Sequence, residues 1–138
     1  MKNKGRILAI DIGEKRIGLA ISVPGVKIAQ PLKTLNRDFI WDELKEIFNN
    51  YKIETVVVGL PLRTNGAKSN SIHNVRYFAK ELQSKFKVPV KLWDERFTTK
   101  SAEQTLRILG KRPSRNKQVI DKLAATILLE EYLTWISN

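Results

Sequence analysis

The sequence predicts an α/β fold: a mixed five-stranded sheet with helices on both faces, in a single domain spanning residues 1–138. Three observations predict it. Two apolar, β-rich runs near the N-terminus are joined by only three residues, a link so short that its strands must be antiparallel neighbours. Downstream, strand-like runs alternate with segments of helical spacing, as in βαβ units. Finally, Thr55-Val-Val-Val-Gly59-Leu60 is continuously apolar and bounded by Pro61, the pattern of a strand buried on both faces.

The elements follow in order. Arg6–Ile12 and Arg16–Val23 read as the first two strands, with Gly13-Glu14-Lys15 as the turn. Pro24-Gly25 signals a second turn. A third short strand is expected around Val26–Ala29, and Gln30-Pro31-Leu32 ends this half of the sheet. Ile40, Leu44, Ile47, Phe48 and Tyr51 have helical spacing, with Asp38 as the expected N-cap. Ile72, Val75, Phe78, Ala79, Leu82 and Phe86 mark a second amphipathic helix, and Val88–Trp93 a strand leading into Asp94-Glu95-Arg96. Ala102, Thr105, Leu106 and Leu109 give a short helix ended by Gly110. A basic loop, Lys111–Lys117, precedes a last helix from about Gln118 to Ile136, with Asn116 available as its cap. No repeat or low-complexity linker divides the chain.

Composition narrows the chemistry. The chain has no cysteine and one histidine, His73, which rules out thiolate and multi-histidine metal sites and Cys-His catalysis, while the place of His73 on the predicted polar side of a helix argues against a Ser-His-Asp triad. His73 reads as a surface residue. Any metal must be held by oxygen, which favours Mg²⁺ or Mn²⁺. With 25 Lys+Arg against 14 Asp+Glu, the formal net charge is +11. Such a balance suits an acidic partner, above all nucleic acid. The basic start is followed by only four apolar residues before Asp11, too few for a signal h-region, and no segment approaches a membrane span. A cytoplasmic protein without membrane contact is expected.

Against this basic background, three acids stand in apolar settings. Asp11 ends the run Arg6-Ile-Leu-Ala-Ile, where an ionised carboxylate is costly unless a cation meets it. The bland alternative is an acid that caps the Gly13 turn through backbone N–H groups. Asp94 and Glu95 are adjacent, so in extended chain they point to opposite faces and only one can readily join Asp11. The residues alone do not say which. Asp121 shares a helical stripe with Ala124, Ala125, Leu128 and Tyr132. Its bland reading is an early-turn acid favoured by the helix dipole.

Taken together, three carboxylates can offset the charge of two divalent ions. A pair of ions about 3.5–4 Å apart binds both the attacking and the leaving oxygen of a phosphodiester. Basic residues flank the proposed ligands: Lys15, Arg16 and Arg96 near the first two, and Lys111, Arg112, Arg115, Lys117 and Lys122 around Asp121. A charge run is commonly a solvated face, but beside candidate catalytic acids it reads as phosphate positioning.

Four ordered motifs then resemble one family. Ile10-Asp11-Ile-Gly13-Glu-Lys15-Arg16-Ile-Gly18-Leu-Ala20, Val58-Gly59-Leu60-Pro61, Asp94-Glu95-Arg96-Phe97-Thr98-Thr99 and Ile120-Asp121-Lys-Leu-Ala124-Ala125 are similar to the YqgF/RuvX family, relatives of the RuvC Holliday-junction resolvase. The resemblance runs from about Leu8 to Leu133. It implies an RNase H-like fold and a metal-dependent nuclease, with Asp11, Glu95 and Asp121 as catalytic metal ligands, and so favours Glu95 over Asp94. It also implies a role in maturing the 5′ end of pre-16S rRNA, on ribosomal particles, or in resolving branched DNA; the rRNA role is preferred. Glu14, Val23 and Phe97 depart from the residues frequent in the family (Thr, Asp and Leu), and none is a proposed ligand.

Two other classes compete. Asp-x-Gly before an antiparallel strand also resembles the phosphate loop of the actin and sugar-kinase superfamily, but that superfamily encloses ATP between two such domains and 138 residues supply one. A non-catalytic RNA- or ribosome-binding module is the second, with the basic loop as its working part. Symmetric junction cleavage would need a dimer. No coiled-coil seam is evident, so a monomer is the expectation.

Overall fold

The structure, a computed structural model, describes residues 5–13, 16–60, 68–94, 104–112, 115 and 117–137, leaving aside the side chains of 68–73, 117, 118, 120 and 121. Its elements are β1 (Arg6–Ile12), β2 (Arg16–Ser22), β3 (Ala29–Asn36), α1 (Ile40–Asn50), β4 (Ile53–Leu60), α2 (Lys68–Phe86), β5 (Val90–Asp94) and α3 (Lys117–Ile136), and residues 104–108 are also helical. The five strands form one sheet in the order β3-β2-β1-β4-β5. The first three strands are antiparallel neighbours, whereas β4 runs parallel to both β1 and β5. Hence β1, β4 and β5 all end at the same edge. The mixed sheet expected from the sequence is the one observed.

Strand alternation sorts the core into two layers. Leu8, Ile10, Val56, Val58 and Leu60 point to one face, where Leu44 and Ile47 of α1 and Val75 and Leu82 of α2 cover them. Ala9, Ala20 and Val57 point to the other, where Ala125, Leu128, Leu129, Tyr132 and Leu133 of α3 pack. The second face carries small residues on both sides of its contact. Ala9, Ala20, Ala124 and Ala125 are all fully or almost fully buried, so α3 can lie close to the sheet. Leu8, Ile10, Val56 and Val58 are inaccessible to solvent, and each such side chain contributes on the order of 1.5–3 kcal/mol.

Two sequence expectations need correction. The third strand is Ala29–Asn36 rather than Val26–Ala29. Val26 and Ile28 are exposed in the connecting turn, and Pro31 sits within β3. An edge strand tolerates a proline, because one side of its ladder needs no donor; the register also shifts between Leu19 and Ala20 opposite it. Asp38 does not cap α1. Asn36 Oδ1 instead accepts from the Asp38 N–H at 2.9 Å and caps a 3₁₀ turn, Arg37–Phe39, which runs into α1 without a side-chain cap. Asn precedes the turn and satisfies the same kind of orphan donor. Asn116 lies outside the described residues.

Gly110 ends the 104–108 helix as expected. Its φ is +79°, its N–H donates to the Arg107 carbonyl at 3.0 Å, and the Lys111 N–H donates to that of Leu106 at 2.9 Å, a Schellman arrangement. Among the described residues no helix is long and apolar enough to cross a membrane.

Candidate active site

Asp11 is the penultimate residue of β1, the central strand, at the edge where β1, β4 and β5 end. It alternates with Ile10 and therefore points, with Ala9, to the α3 face. The residue is 7% exposed and has a polar or electrostatic interaction within the fold. The Gly13 N–H, a donor that turn-capping would use, is instead taken by the Arg16 carbonyl at 2.8 Å.

The row containing Asp11 is sparse. Its partner on β2 is Gly18, whose own partner on β3 is Thr34. On β4, one residue past the Ile10–Val58 pair, the matching position is Gly59, which pairs with Trp93 of β5. Neither strand position flanking Asp11 carries a side chain. In a strand interior such glycines commonly mark close approach by a ligand or another backbone. A buried carboxylate with open flanks suits a hard divalent cation.

Two basic groups gather at this edge. Arg16 opens β2, two residues from Gly18, so it lies on Asp11's face at the diagonal position, within reach of a long side chain. Arg16 likewise has an interaction within the fold. Arg37 Nη1 donates to the Gly13 carbonyl at 3.3 Å. The sequence reading overlooked Arg37, because only the β2–β3 register brings the chain after Asn36 back to the Gly13 turn.

Alternation along β5 assigns Asp94 to a face. Val90 and Leu92 pack with the α1/α2 layer, while Trp93 packs with the α3 layer. Asp94 follows Trp93 and is placed on the α1/α2 side, opposite to Asp11. Glu95 and Arg96 lie outside the described residues, as does Lys15.

Asp121 is the fifth residue of α3; its side chain and that of Lys117 are outside the description. The surrounding helix is well fixed. Ala125, one turn on, packs in one cluster with Ala9 and Ala20. Ala124 packs with the fully enclosed Leu106, which holds the start of the basic loop against this part of α3. Arg107, Lys111, Arg112 and Arg115 are exposed there, and Lys122 is half-buried. Buried Thr126 satisfies its hydroxyl on the Lys122 carbonyl at 2.7 Å. Further along, Trp93 meets Tyr132 edge-on, with ring centroids 5.4 Å apart, and donates from Nε1 to Glu131 Oε1 at 3.4 Å. The described residues contain no group of three or more metal-ligating side chains; Glu95 and the side chain of Asp121 lie outside the description.

Residues 5–135 match the family model described as "RuvX: Holliday junction resolvase". The chain belongs to the RuvX family. A Listeria monocytogenes relative named "Putative pre-16S rRNA nuclease" is 41% identical over 133 residues, covering 93% of this chain and 96% of that protein. A Caldanaerobacter subterraneus relative of the same name is 44% identical, with 93% and 95% covered. Among solved structures, Thermus thermophilus RuvC in complex with a Holliday-junction substrate superposes with a TM-score of 0.60 at 17% identity, covering 97% of this chain and 96% of RuvC. The fowlpox virus resolvase, in complex with Holliday-junction DNA, gives 0.63 at 14% identity, with 96% and 99% covered. At such identities the likeness concerns the fold, and the RNase H-like architecture expected from the sequence is borne out. The RuvX motifs around Asp11 and Gly59 thus fall on adjacent parallel strands, at the same level of one face.

Proposed function

We propose that this RuvX-family chain is a divalent-metal-dependent endonuclease that hydrolyses phosphodiester bonds, working in the cytoplasm on the 5′ end of pre-16S rRNA. The observation that carries the reading is Asp11: an acid buried at the end of the central strand, between two glycine positions, in a chain of charge +11. The names of the relatives, at 41–44% identity over nearly the whole chain, support the rRNA substrate.

Asp11, Glu95 and Asp121 would hold Mg²⁺ or Mn²⁺. Their carboxylates are hard oxygen donors, and the chain has no cysteine and a single histidine to compete with them. The chemistry supplied by bound ions would be charge neutralisation at the scissile phosphate, a lowered pKa for the attacking water and stabilisation of the departing oxygen. The protein's own part is placement. β1 fixes Asp11, and the packing of α3 on Ala9 and Ala20 holds Asp121's helix to the same face. Arg16, with Lys15, Arg96, Lys111, Arg112, Arg115, Lys117 and Lys122, would position the phosphate backbone; Arg37 joins this set by its place at the Gly13 turn.

Sheet parity supplies a sharp test. Asp94→Asn should retain cleavage within about threefold, because Asp94 belongs to the opposite face. Glu95→Gln should lose at least about a hundredfold, in line with the several kcal/mol that metal charge stabilisation supplies. Retained cleavage in Glu95→Gln would remove Glu95 from its assigned role, and an equal loss in Asp94→Asn would undo the parity argument.

A second reading, resolution of four-way DNA junctions, is favoured by the family description and by the likeness to RuvC. One assay separates the readings. The purified chain is offered a precursor-rRNA 5′ fragment and a synthetic four-way junction, each with Mg²⁺, with Mn²⁺ and with chelator. Metal-dependent cut ends at the mature rRNA position are expected. Symmetric nicking of the junction by a dimeric species would favour the DNA reading. Binding without cleavage of either substrate would leave only a binding module.

A further inference from the structure

On the α1/α2 side of the sheet, away from Asp11's face, α2 and the edge strand β5 bound an open groove of about 710 Å³. Its floor includes Val90 and Leu92. Arg76, Lys80 and Lys87 lie along it, with Tyr77, and among the described residues no acidic side chain lines it. Arg76 and Lys80 are one helical turn apart on α2, so they lie on one side of the helix. Tyr77 is 67% exposed, which leaves much of its ring open to solvent.

Lys87 adds a separate observation. Its φ is +56°, the only positive φ at a non-glycine residue among those described. There it ends α2, its N–H donating to the Gln83 carbonyl at 2.9 Å. Glycine is the residue that takes this conformation without strain. A lysine therefore occupies a position where its backbone is disfavoured, and its side chain lines the groove. Strain kept at such a place points to use of the side chain.

We propose that this groove is a second nucleic-acid contact, which holds a single-stranded segment of the substrate RNA on the side of the sheet opposite the cleavage site. Three cations lining one groove suit consecutive phosphates, and the exposed Tyr77 ring, in a groove also lined by apolar Val90 and Leu92, suits a base lying flat. The volume falls within the range of sites that enclose a small organic ligand. The inference rests on the nuclease reading for its choice of RNA, but the contact itself requires neither metal nor cleavage.

The test uses the full chain in chelator, with a fluorescent single-stranded oligoribonucleotide titrated at several salt concentrations. Arg76→Gln/Lys80→Gln/Lys87→Gly is expected to weaken binding at least tenfold near 0.1 M salt. It should also flatten the log–log salt slope by about 2, from about 0.7 per lost phosphate contact. Lys87→Gly alone should weaken binding while leaving the thermal midpoint unchanged or raised, a combination that a purely structural lysine would not produce. Binding and slope identical to those of the unsubstituted chain would overturn the proposal. A chain that binds RNA through the groove but cleaves nothing would instead count against the nuclease reading alone.

Discussion

Asp11→Asn will lower the rate of phosphodiester cleavage by about 10²–10⁴-fold, the several kcal/mol that charge stabilisation by a properly ligated metal supplies. Asparagine keeps the shape of the side chain and removes its charge. The packing on either side of it does not use that charge, since Leu8 and Ile10 are enclosed by the opposite layer and the Gly13 N–H is bonded to the Arg16 carbonyl. RNA affinity in chelator should therefore stay within a few-fold, and the thermal midpoint within a few degrees. Single-turnover rates at saturating Mg²⁺, beside a melting curve, provide the check. Cleavage at the wild-type rate would take Asp11 out of the chemistry altogether.

Leu128→Ala will cost about 2–5 kcal/mol of stability, as expected where a fully enclosed leucine leaves a cavity. Leu128 is inaccessible to solvent, between α3 and the small residues Ala9, Ala20 and Val57. Against a typical total of about 5–15 kcal/mol the loss is large, and the thermal midpoint should fall by roughly 10 °C or more. The informative comparison is Leu44→Ala, an equally enclosed residue in the opposite layer. Both variants should lose stability, but only Leu128→Ala should also lower cleavage per folded molecule, because its layer holds the helix that carries Asp121. Equal specific activity in the two folded variants would mean that the packing of α3 does not set the site.

The sequence made some of this plain and hid the rest for physical reasons. The β1–β2 hairpin was readable because two β-rich runs were joined by too few residues for any other geometry. The doubly buried β4 was readable from unbroken apolarity. β3 was not, because an edge strand half open to water carries Gln30, Lys33 and Thr34 and even a proline, whereas apolar Val26 and Ile28 are spent in a turn. Asp11 announced itself by the free-energy cost of a carboxylate in an apolar run. The glycine row beside it did not, since Gly18 and Gly59 become its neighbours only through pairing with two strands, one antiparallel and one parallel. Parity along β5 likewise needed the observed layers before it could assign Asp94 to a side. On α2, Arg76 and Lys80 look like any solvated helix face until β5 is placed alongside.

The place of β1 in the sheet has a consequence for how the site fails. Its neighbours β2 and β4 bond it on both sides, and helices cover it on both faces. Strands in that situation open only with the whole molecule, so the amide hydrogens of Leu8, Ala9 and Ile10 exchange with solvent through global unfolding rather than local fraying. An acid attached to the last part of the domain to melt is not switched off by partial opening, as a loop-borne residue would be. Heat or denaturant should abolish Asp11's function in a single step, together with the fold itself.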